Sequence, residues 1–91
     1  MNTCFKPLFG RHLKKITDQT LRQGAIQAIK SVEEAKTKND IPELKKLKGK
    51  KKKPIYYRIK VGDYRIGVTI ENDLVTFANF RPRDKFYNFF P

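Results

Sequence analysis

Apolar and polar residues alternate strictly through residues 55–61 and again through residues 64–70. The apolar positions are Ile55, Tyr57, Ile59, Val61, Tyr64, Ile66, Val68 and Ile70. A period of two predicts two strands that each bury one face. Gly62 and Asp63 fit a two-residue hairpin turn with glycine first, the preference of type II′. In this register Lys60 lies opposite Arg65, and Arg58 lies opposite Gly67.

A helical period replaces this alternation in the first half of the chain. Asp18 predicts the N-cap of a helix, because its side chain can accept a hydrogen bond from the first turn. One face of this helix carries Leu21, Ala25, Ala28, Ile29 and Val32. Gly24 weakens the helix by about 1 kcal/mol relative to alanine. Residues 11–16 predict a brief helical turn before it, so that the two helices form a hairpin.

The remaining segments predict short elements. Residues 1–9 predict a poor strand, because Pro7 lacks a backbone donor. Residues 40–43 resemble a capping box that opens a short helix through Leu44 and Leu47, and Gly49 ends it. After a turn at Asn72, residues 74–80 predict the last strand. The pattern predicts an α+β fold, with an N-terminal helical hairpin packed on a small antiparallel sheet.

The chain has 91 residues, of which 38% are hydrophobic. This length suits one domain over residues 1–91. The 21 Lys and Arg exceed the 9 Asp and Glu, which gives a formal net charge of +12. Nine of these cations lie between Lys45 and Lys60, a stretch with no carboxylate. Such self-repulsion indicates a polyanionic partner, of which nucleic acid is the commonest, or an acidic protein.

The sequence excludes several other classes. Cys4 and His12 are the only cysteine and histidine, so we expect neither a metal site nor an internal disulfide, and no cofactor. No apolar run approaches the roughly 20 residues of a membrane span, and the first residues lack the apolar core of a secretory signal. We therefore expect a cytoplasmic protein with no membrane partner.

The facing cations of the predicted hairpin are the main candidates for chemistry. Lysine opposite arginine on one ladder is repulsive, so stability alone does not explain the pair. Gly67 on the same face lets another backbone approach closely. Two interpretations stay open at this point: a surface built to meet an anion, or basic side chains that merely solvate the open face of an antiparallel sheet.

Two further segments add candidates. Lys50, Lys51, Lys52 and Lys53 form a cationic loop before Pro54 that attracts phosphate without specificity. The last eleven residues combine Arg81 and Arg83 with four aromatic rings, of which Phe86, Phe89 and Phe90 are expected in the core or against a partner. Tyr87 can stack on an unpaired base, and a guanidinium can bind a phosphate through two hydrogen bonds.

Three segments together resemble the RelE/ParE toxin superfamily. They are residues 45–49 (KKLKG), 57–67 (YRIKVGDYRIG) and 83–87 (RDKFY), followed by a Phe-Phe-Pro ending. The resemblance covers residues 40–91 well and the preceding helices more loosely. It implies a toxin of a type II toxin-antitoxin system that cleaves messenger RNA in the ribosomal A site without a metal. An acidic cognate antitoxin, messenger RNA and ribosomal RNA are the implied partners.

The resemblance also implies roles for individual residues. Lys60 resembles the residue that assists deprotonation of the 2′-hydroxyl, and nearby cations favour the neutral amine this needs. Arg65 resembles the residue that stabilises transition-state charge. Arg83 resembles the residue beside the leaving group, and Tyr87 the ring that stacks on a base. The remaining hairpin and loop cations are assigned to RNA binding: Arg58, Lys50, Lys51, Lys52, Lys53 and Arg81.

One departure from the family pattern keeps other functions open. Many relatives carry His-Arg where this chain has Pro82-Arg83, so a histidine acid or base is absent at that point. Pro82 also breaks strand alternation, so the sequence leaves the orientation of Arg83 open. The alternatives are a gyrase inhibitor of the same fold and a non-catalytic basic module that binds nucleic acid.

Overall fold

The structure is a computed structural model that describes residues 1–48 and 54–91. Its elements in chain order are β1 (Asn2–Phe5), α1 (Pro7–Lys14), α2 (Gln19–Glu34), a 3-10 turn (Lys38–Asp40), β2 (Leu44–Lys46), β3 (Ile55–Val61), β4 (Tyr64–Glu71), β5 (Leu74–Pro82) and α3 (Arg83–Phe89). The strands form one sheet in the order β1-β5-β4-β3-β2. The β1-β5 pair is parallel and the other pairs are antiparallel. The predicted α+β class is therefore confirmed, with one parallel pair added.

The β3-β4 hairpin has the predicted register. Val61 pairs with Tyr64 across a two-residue turn, and Lys60 pairs with Arg65. Gly62 has a φ of 55°, a left-handed conformation that favours glycine. Because the turn sets the register, every side chain of the hairpin lies on the face that the alternation predicts.

Helix α2 begins where its N-cap predicts. The Asp18 carboxylate accepts a hydrogen bond from the Leu21 backbone at 3.0 Å. Ala25 and Val32 on its inner face are fully buried against the sheet. A Cβ added at Gly24 would lie 2.8 Å from Cγ1 of Val61. The helix interior therefore contains a glycine because α2 packs closely on β3 there.

Two predictions for short elements are wrong. The brief helical turn predicted at residues 11–16 is the end of a helix that starts at Pro7, and the strand before it stops at Phe5. Proline is favourable there, since the first helical residue needs no N–H partner. The segment through Leu44 is a strand, because Leu44 pairs with Ile59 of β3. The capping box lies earlier, between Thr37 and Asp40. Gly49 and the loop of Lys50 to Lys53 lie outside the described residues.

Different elements pack on the two faces of the sheet. On one face, α1 and α2 bury the main core, which includes Phe9, Val32, Ile66, Val68, Phe77 and Phe80. On the other face, α3 and the chain end bury Phe86 and Phe90. The Phe90 ring packs on Gly67 and lies edge-on to Tyr56, at 5.4 Å between ring centroids. The face that the sequence predicts to be open is therefore closed over Gly67 by the Phe90 ring, and Arg65 on the same face is also largely buried.

A bulge in β5 decides which residues point to that second face. Val68 pairs with Phe77, whereas Gly67 pairs with Asn79, so Ala78 is an extra residue in the ladder. Val75 and Phe77 lie in the core before the bulge, and Phe80 lies in the core after it. One inserted residue exchanges the two faces of a strand. Asn79 and Arg81 consequently lie on the face of Gly67 and Arg65.

Within the described ranges, no helix has the length and apolar character that crossing a membrane requires.

Substitution of Gly67 tests the close packing of the chain end. The Cβ of Gly67→Ala would lie 2.8 to 2.9 Å from three Phe90 ring atoms. We expect a loss of about 1–3 kcal/mol in the free energy of unfolding, because overpacked side chains must shift. Urea denaturation measures this loss.

Gly10→Ala is the matched control, since its added Cβ meets nothing within 4 Å. We expect this helical substitution to gain about 0.5–1 kcal/mol. Equal changes in both variants would contradict the packing of Phe90 on Gly67.

Candidate nucleic-acid interface

Three cations form a row across three neighbouring strands. Lys60 of β3 pairs with Arg65 of β4, and Arg65 pairs with Arg81 of β5. Direct cross-strand partners on one face have Cβ atoms about 5 Å apart. In the part of the chain that the structure describes, no carboxylate forms an ion pair with these three residues. The row therefore concentrates positive charge that a bound anion would neutralise.

Arg65 is held tightly at the centre of this row. Its side chain is only 8% exposed. Nη1 donates to the carbonyl oxygens of Gly62 at 2.9 Å and Tyr64 at 2.8 Å. A guanidinium has five N–H donors, so donors remain for a ligand beyond those two bonds. Its orientation is set by the hairpin turn, and its charge acts from a partly dry position.

Arg81 is also oriented by its neighbours. Nε donates to Oδ1 of Asn79 at 3.0 Å, and Asn79 is only 4% exposed. The guanidinium carbon lies 4.0 Å from the centroid of the Phe89 ring, a cation–π contact. A buried amide and an aromatic ring therefore hold Arg81 in place.

A second basic row runs beside the first. Lys45 of β2 pairs with Arg58, which pairs with Gly67. Nη1 of Arg58 donates to the carbonyl oxygen of Glu43 at 2.7 Å. Glu43 has a φ of 61°, so the chain reverses there and enters the edge strand. Because Lys45 pairs with Arg58, its side chain lies on the face that carries the first row.

Helix α3 carries Arg83 and Tyr87 to the turn of the hairpin. The Arg83 backbone N–H donates to the Asp63 carbonyl at 2.7 Å, which fixes the start of α3 at the turn. A cleft of about 570 Å³ opens there, lined by Asp63, Pro82, Arg83, Asp84 and Tyr87. Pro82 is the N-cap of α3, and it lets the strand pass directly into the helix. The cleft thus combines a guanidinium with an exposed ring.

Tyr87 also forms a wall of a second cleft. This cleft, of about 340 Å³, is lined by Lys45, Lys46, Leu47, Lys48, Tyr87, Phe90 and Pro91. The Tyr87 side chain is 53% exposed, and its ring lies edge-on to Phe86 at 5.0 Å between centroids. A buried ring thus supports an exposed one that separates two clefts.

The structure brings the predicted site residues together in two groups. Lys60, Arg65 and Arg81 form the row, and Arg58 lies beside it. Arg83 and Tyr87 share the cleft at the turn, which neither Lys60 nor Arg65 lines. Lys50, Lys51, Lys52 and Lys53 lie outside the described residues. These placements leave the assigned roles as predictions.

Three residues of this surface escaped the sequence analysis. Asn79 escaped it because nothing in the sequence signals the bulge that turns it toward Arg81. Phe89 was grouped with Phe86 and Phe90, whereas its side chain is 56% exposed. Phe86 and Phe90 lie in the core, whereas Phe89 does not, so contact with a partner stays the prediction for Phe89. Lys45 was counted among the cations but not assigned to the site, because residues 44–46 were predicted as helix.

His12 joins α1 to this region of the sheet. Its Nδ1 accepts a hydrogen bond from the Phe80 backbone N–H at 3.3 Å. Strand β1 ends at Phe5, opposite Phe77, so α1 covers the edge of β5 beyond that point. Burial lowers the pKa of His12 below 6.5, and the charges of Arg81, Lys15 and Arg11 lower it further. The histidine is therefore a structural acceptor in its neutral form.

Comparison with known proteins identifies the family of this chain. A model of the ParE toxin of the type II toxin-antitoxin system parDE matches residues 4–87. The chain belongs to the RelE/ParE toxin superfamily. This RelE/ParE toxin is 32% identical to Toxin RelE3 of Methanocaldococcus jannaschii over 92 aligned positions, which span both proteins completely. The resemblance predicted from the sequence is confirmed.

Solved structures agree with this assignment. The toxin superposes on a chain of the RelB-RelE antitoxin-toxin complex from Methanococcus jannaschii with a TM-score of 0.77 and 30% identity. The match covers 97% of this chain and 99% of that one. A chain of the archaeal RelE-RelB complex from Pyrococcus horikoshii OT3 gives a TM-score of 0.72 at 15% identity, over 93% and 97% of the two chains. At 15% identity, the match to the Pyrococcus horikoshii chain supports the fold alone.

The lowered pKa of His12 predicts a pH dependence of stability. The unfolded chain binds a proton at His12 near pH 6.5, whereas the folded toxin binds it only at lower pH. The contribution of His12 is fully present above about pH 6.5 and is lost as the pH falls through the folded pKa. Urea midpoints at pH 7.5 and pH 5.5 measure this loss.

His12→Asn is the control, because the amide oxygen can accept from Phe80 and does not titrate. We expect a smaller drop in midpoint for this variant than for the wild type over the same interval. An equal drop in both proteins would show that other groups cause it.

Proposed function

We propose that the protein is the toxin of a type II pair and cleaves messenger RNA on the ribosome. The observation that carries the proposal is the row of Lys60, Arg65 and Arg81 across three strands, with no carboxylate paired to it among the described residues. A scissile phosphate gains a second negative charge as it becomes pentacovalent. Oriented cations at that point stabilise the transition state more than the ground state.

The proposed step is an internal transfer at the RNA backbone. The ribose 2′-oxygen attacks the adjacent phosphorus, and the amine of Lys60 accepts the 2′-hydroxyl proton. The bond from phosphorus to the 5′-oxygen breaks, leaving a 2′,3′-cyclic phosphate. Arg65 stabilises the equatorial oxygens. Arg83 stabilises charge on the departing 5′-oxygen, which takes its proton from water, so no metal enters the step.

Binding of single-stranded RNA follows from the surroundings of this row. Tyr87 offers an exposed ring between two clefts, and unpaired bases stack on such rings. Arg58 and Arg81 contribute charge on the same face. The lysines at positions 50–53 add further electrostatic attraction, because each neutralised phosphate releases a counterion.

The same excess of positive charge also supports an acidic protein partner. Two structural relatives are complexes with RelB antitoxins. The net charge of +12 fits an acidic antitoxin that covers the basic face and blocks RNA. We therefore propose a cognate antitoxin in the cytoplasm, with the ribosome as the site of action.

Lys60 variants test the proposed chemistry. Lys60→Ala is expected to lower kcat by about 10²- to 10⁴-fold, the usual contribution of a positioned proton acceptor. Lys60→Arg keeps a long basic side chain but cannot accept the proton, because a guanidinium stays protonated, so we expect a comparable loss. Primer extension on translated messenger RNA measures cleavage.

Lys30→Ala is the matched control, since Lys30 is an exposed cation of α2. It should cleave at the wild-type rate. Wild-type activity in Lys60→Arg would contradict the role of Lys60 as a base. Breaks in DNA bound to gyrase, without cleavage of translated message, would favour the gyrase inhibitor. Binding of RNA without any cleavage by the wild type would favour the non-catalytic module.

Tyr87 variants separate stacking from hydroxyl chemistry. Tyr87→Ala removes the ring, and we expect about tenfold weaker binding of RNA, since stacking contributes about 1–3 kcal/mol per base. Tyr87→Phe keeps the ring and should bind as the wild type does. Fluorescence anisotropy of a labelled single-stranded oligonucleotide measures the affinity. A loss of equal size in Tyr87→Phe would instead assign the effect to the hydroxyl.

A further inference from the structure

Phe89 is an exposed ring that the proposed cleavage site does not use. Its side chain is 56% exposed, about as much as that of Tyr87. One face of the ring carries the guanidinium of Arg81 at 4.0 Å. The contact with Arg81 accounts for one face of the ring and leaves more than half of the side chain exposed.

The geometry of α3 separates Phe89 from Tyr87. An α-helix turns about 100° per residue, so Tyr87 lies about 100° to one side of the buried Phe86 and Phe89 about 60° to the other. Tyr87 lines the two clefts beside Asp63 and Lys45. Phe89 lies against Arg81 of β5. The two exposed rings therefore lie on opposite sides of the same helix.

Arg81 makes the surface around Phe89 positively charged. The buried amide of Asn79 fixes its guanidinium, and no carboxylate of the described residues pairs with it. A flat apolar ring and a fixed guanidinium together match the base and phosphate of one nucleotide.

We propose that Phe89 and Arg81 form a second nucleotide subsite, in which an unpaired base of single-stranded RNA stacks on Phe89 and its phosphate binds Arg81. The subsite deepens the proposed function and rests on it for the nature of the ligand. RNA bound to both rings crosses α3, with Tyr87 holding one base and Phe89 another. A protein partner would bury the ring equally well, but the unpaired, pre-oriented Arg81 favours a phosphate.

Tryptophan fluorescence tests this stacking directly. The chain contains no tryptophan, so Phe89→Trp introduces a single fluorophore at the subsite. The probe is a short single-stranded 2′-O-methyl RNA, which lacks the free 2′-hydroxyl needed for cleavage. We expect quenching on addition of this RNA and little quenching by an abasic chain of the same length. Phe5→Trp is the control, because Phe5 is 45% exposed on β1, away from α3.

Affinity measurements complete the test. Phe89→Ala and Phe89→Leu should bind the probe about tenfold more weakly, equivalent to about 1.4 kcal/mol, whereas Phe89→Tyr should retain wild-type affinity. With the abasic chain, the Phe89 variants should bind as the wild type does, because no base can stack there. A loss of affinity caused only by a displaced Arg81 would persist with that chain.

Three results would overturn the subsite. They are equal quenching by the abasic chain, unchanged RNA affinity in Phe89→Ala, and a loss in that variant confined to antitoxin binding. The outcome is independent of cleavage: base-dependent quenching without any cleavage of translated message would contradict the proposed nuclease and support the subsite. Cleavage by the wild type with unchanged RNA affinity in Phe89→Ala would support the proposed nuclease and contradict the subsite.

Discussion

The one-residue bulge at Ala78 is the constraint on which the functional face depends. Without it, the alternation of β5 would point Asn79 and Arg81 into the main core, where an unpaired guanidinium is very costly. With it, Arg81 lies beside Arg65 on the second face. The bulge therefore allows one strand to serve the core at its start and the basic surface at its end.

Apolar packing of α3 and the chain end on the second face keeps the cations of that face together despite their mutual repulsion. Phe86 and Phe90 bury apolar area against the sheet, and the absence of a side chain at Gly67 lets the Phe90 ring approach. The backbone bond from Arg83 to Asp63 ties the other end of α3 to the hairpin turn. Apolar burial at two rings thus offsets the electrostatic repulsion between the cations of this face.

Most of the sheet and α2 were predictable because local signals are strong there. Gly62 and the alternation around it determine the hairpin register, and Asp18 caps α2. The error at Leu44 arose because capping chemistry and a short edge strand look alike locally, and pairing with β3 decides between them. The exposure of Phe89 was not predictable, since it depends on where α3 docks. Family resemblance supplied the candidate site residues, but only the bulge places Arg81 in the row.

The histidine bond from α1 to β5 has a consequence for association between molecules. A free strand edge is a template for adding a strand from another chain, and long open edges promote aggregation. Strand β1 covers β5 only as far as Phe77, and His12 satisfies the Phe80 N–H beyond it. The opposite edge is the three-residue β2, which carries Lys45 and Lys46. Short, charged or blocked edges therefore leave little free backbone on this sheet for a strand of another chain.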